Sequence, residues 1–408
     1  MDNFTHTLIG TLVGEAIARA TPADPRGLEA ASRRNLIVAL SAIGSNLPDS
    51  DLLYSFLGAK VNYLLHHRGH THTIAGALVL AGIVLAIFLW VLKRRRSIAS
   101  ARDRILLGAV LACTPLLHIG MDFTNNYGVH PFWPFDNDWF YGDAVFIAEP
   151  LLWAACTPLI FLLRTSAARS IATVVLATGM ALALLSGFVP LAPALALVCV
   201  TTGMVVLAWR AQPRVALTAA ITLWIAVTVT FVASSALAGR RADAIARDRF
   251  PQARLLDHIL TPMPANPLCW EMILIQQEQE RLLLRRGTLS LAPQFIPANA
   301  CLPRSPYISQ TASLAPVGPD TPALDWHGEI ATDLVELRRV VGENCEAAAA
   351  MRFIRAPWLI ATERAKVLGD LRYDREKELG FAEVELADPP RCPPIVPPWG
   401  MPRADLFG

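Results

Sequence analysis

The chain has 408 residues, of which 53% are hydrophobic and 17% charged, with a formal net charge of +2. A charged fraction well below the roughly 25% of average soluble domains points to a membrane setting. The near-neutral balance, with basic residues that membrane orientation accounts for, excludes nucleic acid as the main partner.

Apolar runs close to the roughly twenty residues that a bilayer demands occupy residues 74–92, 105–121, 144–163, 171–189, 192–209 and 215–238. Two shorter runs, 4–20 and 35–47, bring the expected total to about eight spans, the first two short. No cleavable signal peptide is expected, because the N-terminus lacks a basic n-region and opens directly on an apolar helix. In the first run His6, Gly10 and Gly14 fall at i, i+4 and i+8, so one narrow face carries a histidine above a surface suited to close helix contact. The second run ends in the turn-forming Gly44-Ser45-Asn46-Leu47-Pro48-Asp49-Ser50-Asp51, which puts two carboxylates at a membrane surface.

The densest chemistry lies in His66-His67-Arg68-Gly69-His70-Thr71-His72-Thr73, four histidines in seven positions directly before an apolar run. Histidine is the commonest transition-metal ligand, since one ring nitrogen coordinates while the other is oriented by an acceptor. A solvated, merely His-rich loop is the bland alternative. Further on, His118 and Asp122 share a helix face at i, i+4, and ionisable groups within a span are costly enough to read as functional. The aromatic and proline-rich loop that follows carries His130, Asp143 and Glu149, each also able to act as a simple cap or surface group.

Lys and Arg placement sets the expected orientation. With the basic run 93–96 cytoplasmic, one face also collects Arg19, Arg26, Arg33, Arg34, Arg102, Arg104, Arg164, Arg169, Arg210 and Arg214, while the other holds only Lys60 and Arg68 within the first 238 residues. That second, extracytoplasmic face receives seven histidines and everything after Ala238. Beyond that point Pro-rich connectors surround a strand pair at 271–286, an Ala-rich helix at 345–355 and strands at 367–373 and 381–386. Cys269, Cys301, Cys345 and Cys392 there admit one or two disulfides in three connectivities. Cys113, Cys156 and Cys199 lie in spans and are expected to be plain core residues.

Five motifs in order carry a family resemblance: Thr5-His6-Thr7, Leu47-Pro48-Asp49-x-Asp51, His67-Arg68-Gly69-x-Thr71-His72, the His118-x-x-x-Asp122-x-Thr-x-x-Tyr-Gly stretch to Gly128, and the Val-Phe-Ile-x-acid-Pro of 145–150. Together they resemble the membrane-bound, metal-dependent hydrolases of the YdjM/YbcI type over roughly residues 1–160, the fourth motif reading Asp122-Phe123-Thr124 with a single residue between the acid and the threonine. Two departures, Glu149 where Asp is usual and Thr73 where Ser is usual, keep the chemistry. The ligand order is also remotely similar to that of zinc-dependent phospholipase C and P1 nuclease.

The expectation is therefore an all-α polytopic membrane bundle over residues 1–238 with a smaller mixed α/β extracytoplasmic domain over 239–408, in a bacterial inner (plasma) membrane. The resemblance implies a hydrolase using one to three divalent ions, zinc first, on an ester or phosphoester lipid-like substrate. Candidate metal ligands are His6, Asp49, His67, His72, His118 and Asp122. Asp51, His70 and Glu149 are candidates for proton transfer, and Arg68 for holding an anion. No Gly-x-Ser-x-Gly, His-Glu-x-x-His or P-loop is present. The competing class is a non-catalytic metal-binding membrane protein, a transporter or assembly factor. A transporter places its ligands near the midplane on broken helices, whereas these gather at one surface.

Overall fold

The computed structural model describes residues 1–55, 60–94, 99–302, 311–362, 365–375 and 378–407. Arg95 and Arg96 of the basic run, and part of a Pro-rich connector at 303–310, lie outside the described residues.

The N-terminal region is helical: α1 (Asn3–Ala20), α2 (Ala30–Gly44), the short α3 (Leu52–Ser55) and α4 (Lys60–His66), then α5 (Ile74–Arg94), α6 (Ala101–Phe123), α7 (Pro150–Cys156), α8 (Leu159–Leu162), α9 (Ser166–Leu185), α10 (Leu191–Arg210) and α11 (Pro213–Arg249). Among the described residues, five helices are long and apolar enough to cross a membrane: α5, α6, α9, α10 and α11. Their surfaces show it, since only 11% of the apolar window of α5 and of α9 is buried against protein.

The expected span over 144–163 is helical only from Pro150. Glu149 caps α7 by accepting the Leu151 N–H, with Pro at the first helical position, where its missing donor costs nothing. Pro158 then separates α7 from α8, and the Thr157 hydroxyl donates to the Ala154 carbonyl. In the opposite sense, α11 runs eleven residues beyond the apolar run that ends at Ala238, to Arg249.

α1 and α2 form a tight hairpin. A Cβ on Gly14 would stand 2.8 Å from Val38 Cα, and one on Gly10 would strike Ser45, so the glycines at i, i+4 spacing are what let the two backbones meet. Ion pairs mark one end of the bundle, where Arg33 meets Asp103 at 3.0 Å and Arg34 meets Glu15 at 2.8 Å. Arg34 also donates to the Leu162 carbonyl at the end of α8. At the other end His6 of α1, Ser45 after α2 and the last turn of α6 converge, and the Asp2 N–H donates to Ile147 just before α7.

That second end carries the β-rich domain. Strands β1 (Arg254–Met263), β2 (Asn266–Glu278), β3 (Arg281–Ser290) and β4 (Leu324–Asp333) form an antiparallel sheet in that order, and β5 (Pro357–Ala361), β6 (Lys366–Asp370) and β7 (Glu383–Leu386) a second. Helices α12 (Ala298–Cys301), α13 (Leu334–Glu343) and α14 (Cys345–Ala350) pack on them. The strand pair expected at 271–286 is β2–β3. The Ala-rich helix is shorter than expected, because the chain turns at Met351–Phe353 to send Arg355 into an internal ion network. Val61, Leu64 and Leu65 of α4, with Tyr127, share one core with Ile273, Leu284, Phe353 and Trp358. The β-rich domain therefore rests on the same loops that carry the histidines.

Two disulfides staple this domain, Cys269–Cys301 and Cys345–Cys392. Their sequence separations of 32 and 47 residues correspond to a chain-entropy contribution of about 3–4 kcal/mol each. In denatured, non-reduced protein a thiol probe is expected to label Cys113, Cys156 and Cys199 and no other cysteine; labelling of Cys269 or Cys345 would refute the pairing.

Glu383 provides a pH test. Its carboxyl accepts from Gly380 N–H at 2.9 Å and from the Thr311 hydroxyl at 3.0 Å, beside Asp374. Burial pushes it from 4.5 up to about 7, opposed by the Gly380 N–H and aided by the Asp374 charge. A folded value above the unfolded one means the folded state holds the proton more tightly. This contribution is fully present below pH 4.5 and is lost as pH rises through 7. Thermal unfolding of the β-rich domain is expected to weaken across that window, and Glu383→Gln to flatten the dependence; an unchanged slope in the variant would contradict it.

Candidate metal centre

Three chain segments build the centre. A 3-10 turn over Pro48–Asp51 directly after α2 presents Asp49 and Asp51. The turn His70–His72, which leads into α5, presents His72. The last turns of α6 present His118 and Asp122 from one face. Between the first two, Arg68 adopts a left-handed backbone (φ 58°), a conformation costing of order 1–3 kcal/mol in a non-glycine residue. The Asp51 carboxylate offsets that by accepting the Arg68 N–H at 2.8 Å.

Four side chains converge. His72 Nε2 lies 3.1 Å from His118 Nε2, and each faces Asp122 Oδ2, at 3.2 and 3.1 Å respectively. Asp49 Oδ1 completes the set at 3.3 Å from His72 and 3.6 Å from His118. The other ring nitrogens are already engaged. His118 Nδ1 donates to the Ser45 carbonyl at 2.7 Å, and His72 Nδ1 to Asp51 Oδ2 at 3.2 Å. These partners fix both tautomers, so that two bare lone pairs point at one another between two carboxylate oxygens. Four acceptors facing one point without a donor repel unless a cation stands among them. Asp122 Oδ2 is a buried atom that lacks a hydrogen-bond donor. The mutual distances match the roughly 3–4 Å between atoms sharing an ion at about 2.0–2.2 Å. The residues present fit a divalent ion, and Asp49, His72, His118 and Asp122 are able to hold it.

Asp49, Asp51 and His67 form a second, adjoining group able to hold an ion. His67 Nδ1 lies 3.1 Å from Asp51 Oδ1. Burial tends to raise the carboxyls of Asp49 and Asp51, but bonds and charges from His72 and its neighbouring imidazoles hold both well below the usual carboxylate range. Burial also lowers His67, against the pull of Asp51.

His6 lies beside the four rather than among them. Its ring stacks on His118 with centroids 3.6 Å apart, and its Nε2 lies 3.2 Å from Asp122 Oδ1. The same oxygen takes Arg68 at 2.9 Å and the amino nitrogen of Met1. Arg68 also donates to Asn125 Oδ1 at 3.0 Å and lies over the Tyr127 ring at 4.5 Å. Arg68, expected to hold an anionic substrate, is thus committed to orienting Asp122.

His70 and Glu149 are not brought into the cluster. The His70 ring packs against Trp133 and Trp399, each with centroids 4.7 Å away, and the Glu149 carboxylate is taken by Leu151 and Ala265 N–H groups at 3.0 and 3.2 Å. His130 is buried against Trp139 and Trp399, and burial pushes it down to about 3, a neutral ring that serves packing. Sequence reasoning passed over Ser45, Asn125, Asn3 and Trp399. Asn3 donates to Asp49 Oδ2 at 2.7 Å, and Trp399, 334 positions from its acceptor, donates to the Leu65 carbonyl at 2.8 Å. Asn125, inside the Thr-x-x-Tyr-Gly stretch, and Ser45, inside the turn at 44–51, were the two of these with a visible signal.

His6, Asp49, His72, His118 and Asp122, drawn from four of the five ordered motifs, lie together at one end of a helical hairpin and a third helix, and Glu149 of the fifth does not join them. Residues 1–192 match the family model described as YdjM inner membrane protein. No curated protein and no solved structure matches the chain. The YdjM match contains every residue of the cluster and ends at the start of α10, so the β-rich domain and its disulfides lie outside it.

Proposed function

We propose that this chain is a membrane-embedded, metal-dependent hydrolase acting on an ester or phosphoester. The observation that carries the reading is the pair of facing Nε2 atoms of His72 and His118, closed by Asp49 and Asp122, with both Nδ1 atoms already engaged. A bound divalent ion, zinc first for an imidazole–carboxylate set, supplies a Lewis acid and lowers the pKa of water from about 15.7 towards about 7. The chain's own residues do the rest. Asp51 and Ser45 aim the imidazoles, Arg68 and His6 fix Asp122, and Asp49 is the ligand nearest the surface, 8% exposed where the other three are 0%. In the net reaction one water is consumed: its oxygen joins the carbonyl carbon or phosphorus, and a proton ends on the leaving oxygen. Gathering of the ligands at one end of the bundle favours chemistry over transport.

The proposed topology has eight crossings with the cluster and residues 239–408 extracytoplasmic. Its support is that α1, α2 and α7–α8 each reach between the Arg33/Arg34 end and the His6/His118 end of the bundle, and that the basic loops fall on the first of these. A reporter fused after Arg94 is expected to read cytoplasmic and one fused after Phe250 extracytoplasmic; the same side for both would refute the topology.

Elemental analysis of the purified chain tests the metal reading. Zinc or another divalent metal at one to two ions per chain is expected, lost in His72→Ala; a metal-free chain after growth in zinc-supplemented medium would refute it.

A further inference from the structure

We propose that a groove between the α1–α2 hairpin and α8–α9 binds one acyl chain of a membrane phospholipid, presenting its headgroup at the Asp49 mouth of the metal centre. This names the substrate class of the hydrolase reading and rests on it.

The groove has a volume of about 560 Å³, with Phe4, Thr7 and Thr11 of α1 on one wall, Val38 of α2 behind and Val175 of α9 opposite. Its threonines are apolar in effect. The Thr7 hydroxyl donates to the Asn3 carbonyl and that of Thr11 to the Thr7 carbonyl, each at 2.7 Å, leaving their methyls to line the space. From Phe4 to Glu15, where the groove closes, α1 rises about 16 Å at ~1.5 Å per residue. A chain in the groove runs from the His6/His118 end of the bundle to the Arg33/Arg34 end, where Glu15, paired to Arg34, forms with Arg164 its polar floor.

The upper end of the groove joins the metal centre through a short polar ladder. Asn46 Nδ2 donates to the Thr7 hydroxyl at 3.0 Å, and Asn3 Nδ2 to Asp49 Oδ2 at 2.7 Å. Around this mouth, three separate elements expose large apolar side chains: Phe4 at 62%, Ile43 at 48% and Leu53 at 81%. Such a rim is costly against water and stable against lipid. On the opposite side the approach is covered, with Tyr127 stacked over Arg68 and Trp399 bonded to Leu65. A substrate arriving from the bilayer meets an apolar rim and then the Asn46 and Asn3 amides beside the least buried ligand, whereas one arriving from the β-rich domain meets packed aromatic rings.

The test uses the full chain reconstituted in vesicles of phosphatidylethanolamine and phosphatidylglycerol, with a trace of phosphatidylglycerol bearing a diazirine in its acyl chain. After irradiation, label is expected to concentrate on peptides of α1, α2 and α9. Thr11→Phe and Val175→Trp, which fill the groove from opposite walls, are expected to reduce that label about tenfold, while Ile83→Trp on the lipid face of α5 leaves it unchanged. Metal content in all three variants is expected to equal that of the parent chain. Label spread evenly over the lipid-facing helices, or unaffected by both filling variants, overturns the groove. A metal-free parent chain would overturn the hydrolase reading instead, whatever the labelling pattern.

Discussion

His118→Ala is expected to strip the divalent ion from the chain. The His118 imidazole supplies one of two facing nitrogens, 3.1 Å from His72 Nε2, and its other nitrogen is anchored on Ser45. No neighbouring group replaces it, because His6, stacked 3.6 Å away, already directs its Nε2 to Asp122 Oδ1. Loss of an orienting partner such as Asp51 in Asp51→Asn costs about 10–100-fold in affinity, and loss of the ligand itself is expected to exceed that. Titration with zinc, read by calorimetry on the parent, H118A and D51N chains, checks the ranking. Equal affinities for all three would place the ion elsewhere.

Arg355→Ala is the substitution expected to cost most in stability. Arg355 donates to both oxygens of Asp143 at 2.9 Å and to Asp257 at 2.9 and 3.2 Å, and lies 4.1 Å over the Tyr141 ring. It is 6% exposed and joins the loop after α6 to β1. Burial pushes the Asp143 carboxyl up even with the arginine present. Without it Asp143 loses its arginine and Asp257 keeps only Arg403 at 3.5 Å, a loss of about 3–5 kcal/mol for a broken buried pair. Denaturation monitored by tryptophan fluorescence reads this directly; a change under about 1 kcal/mol, the scale of an exposed pair, would show that water screens the network.

The helical region and the site were legible because their signals are local. Apolar runs announce α5, α6, α9, α10 and α11, and the ligands stand at the polar ends of α2, α5 and α6. Gly10 and Gly14 likewise spoke through spacing alone. The 144–163 run misled because hydropathy does not register a Glu149-Pro150 start or the Pro158 interruption. Ala238 marked the end of apolar composition, not of the helix, since α11 continues as a polar helix that packs on β1 and β2. His70 and His72 are two positions apart and equally promising as letters, yet only His72 turns into the centre, a choice made by the 3-10 turn and by Trp133 and Trp399. The β-rich domain was the least legible part. β1, β4 and β5 went unread: β4 pairs with β3 across a long connection, while β1 and β5 form hairpins with β2 and β6 whose turns lack an Asn-Gly or Asp-Gly signal, although Asp333, capping α13 with Glu336 three residues on, carried a readable helix start.

X-ray absorption at the zinc edge of the zinc-loaded, membrane-reconstituted chain tests the central claim most directly. A low-coordinate site is expected, with two imidazole nitrogens at about 2.0–2.1 Å and carboxylate oxygens at about 2.0–2.2 Å, the imidazole scattering disappearing in the H72A/H118A double variant. A spectrum of six waters, or one dominated by sulfur ligands at about 2.3 Å, would contradict it.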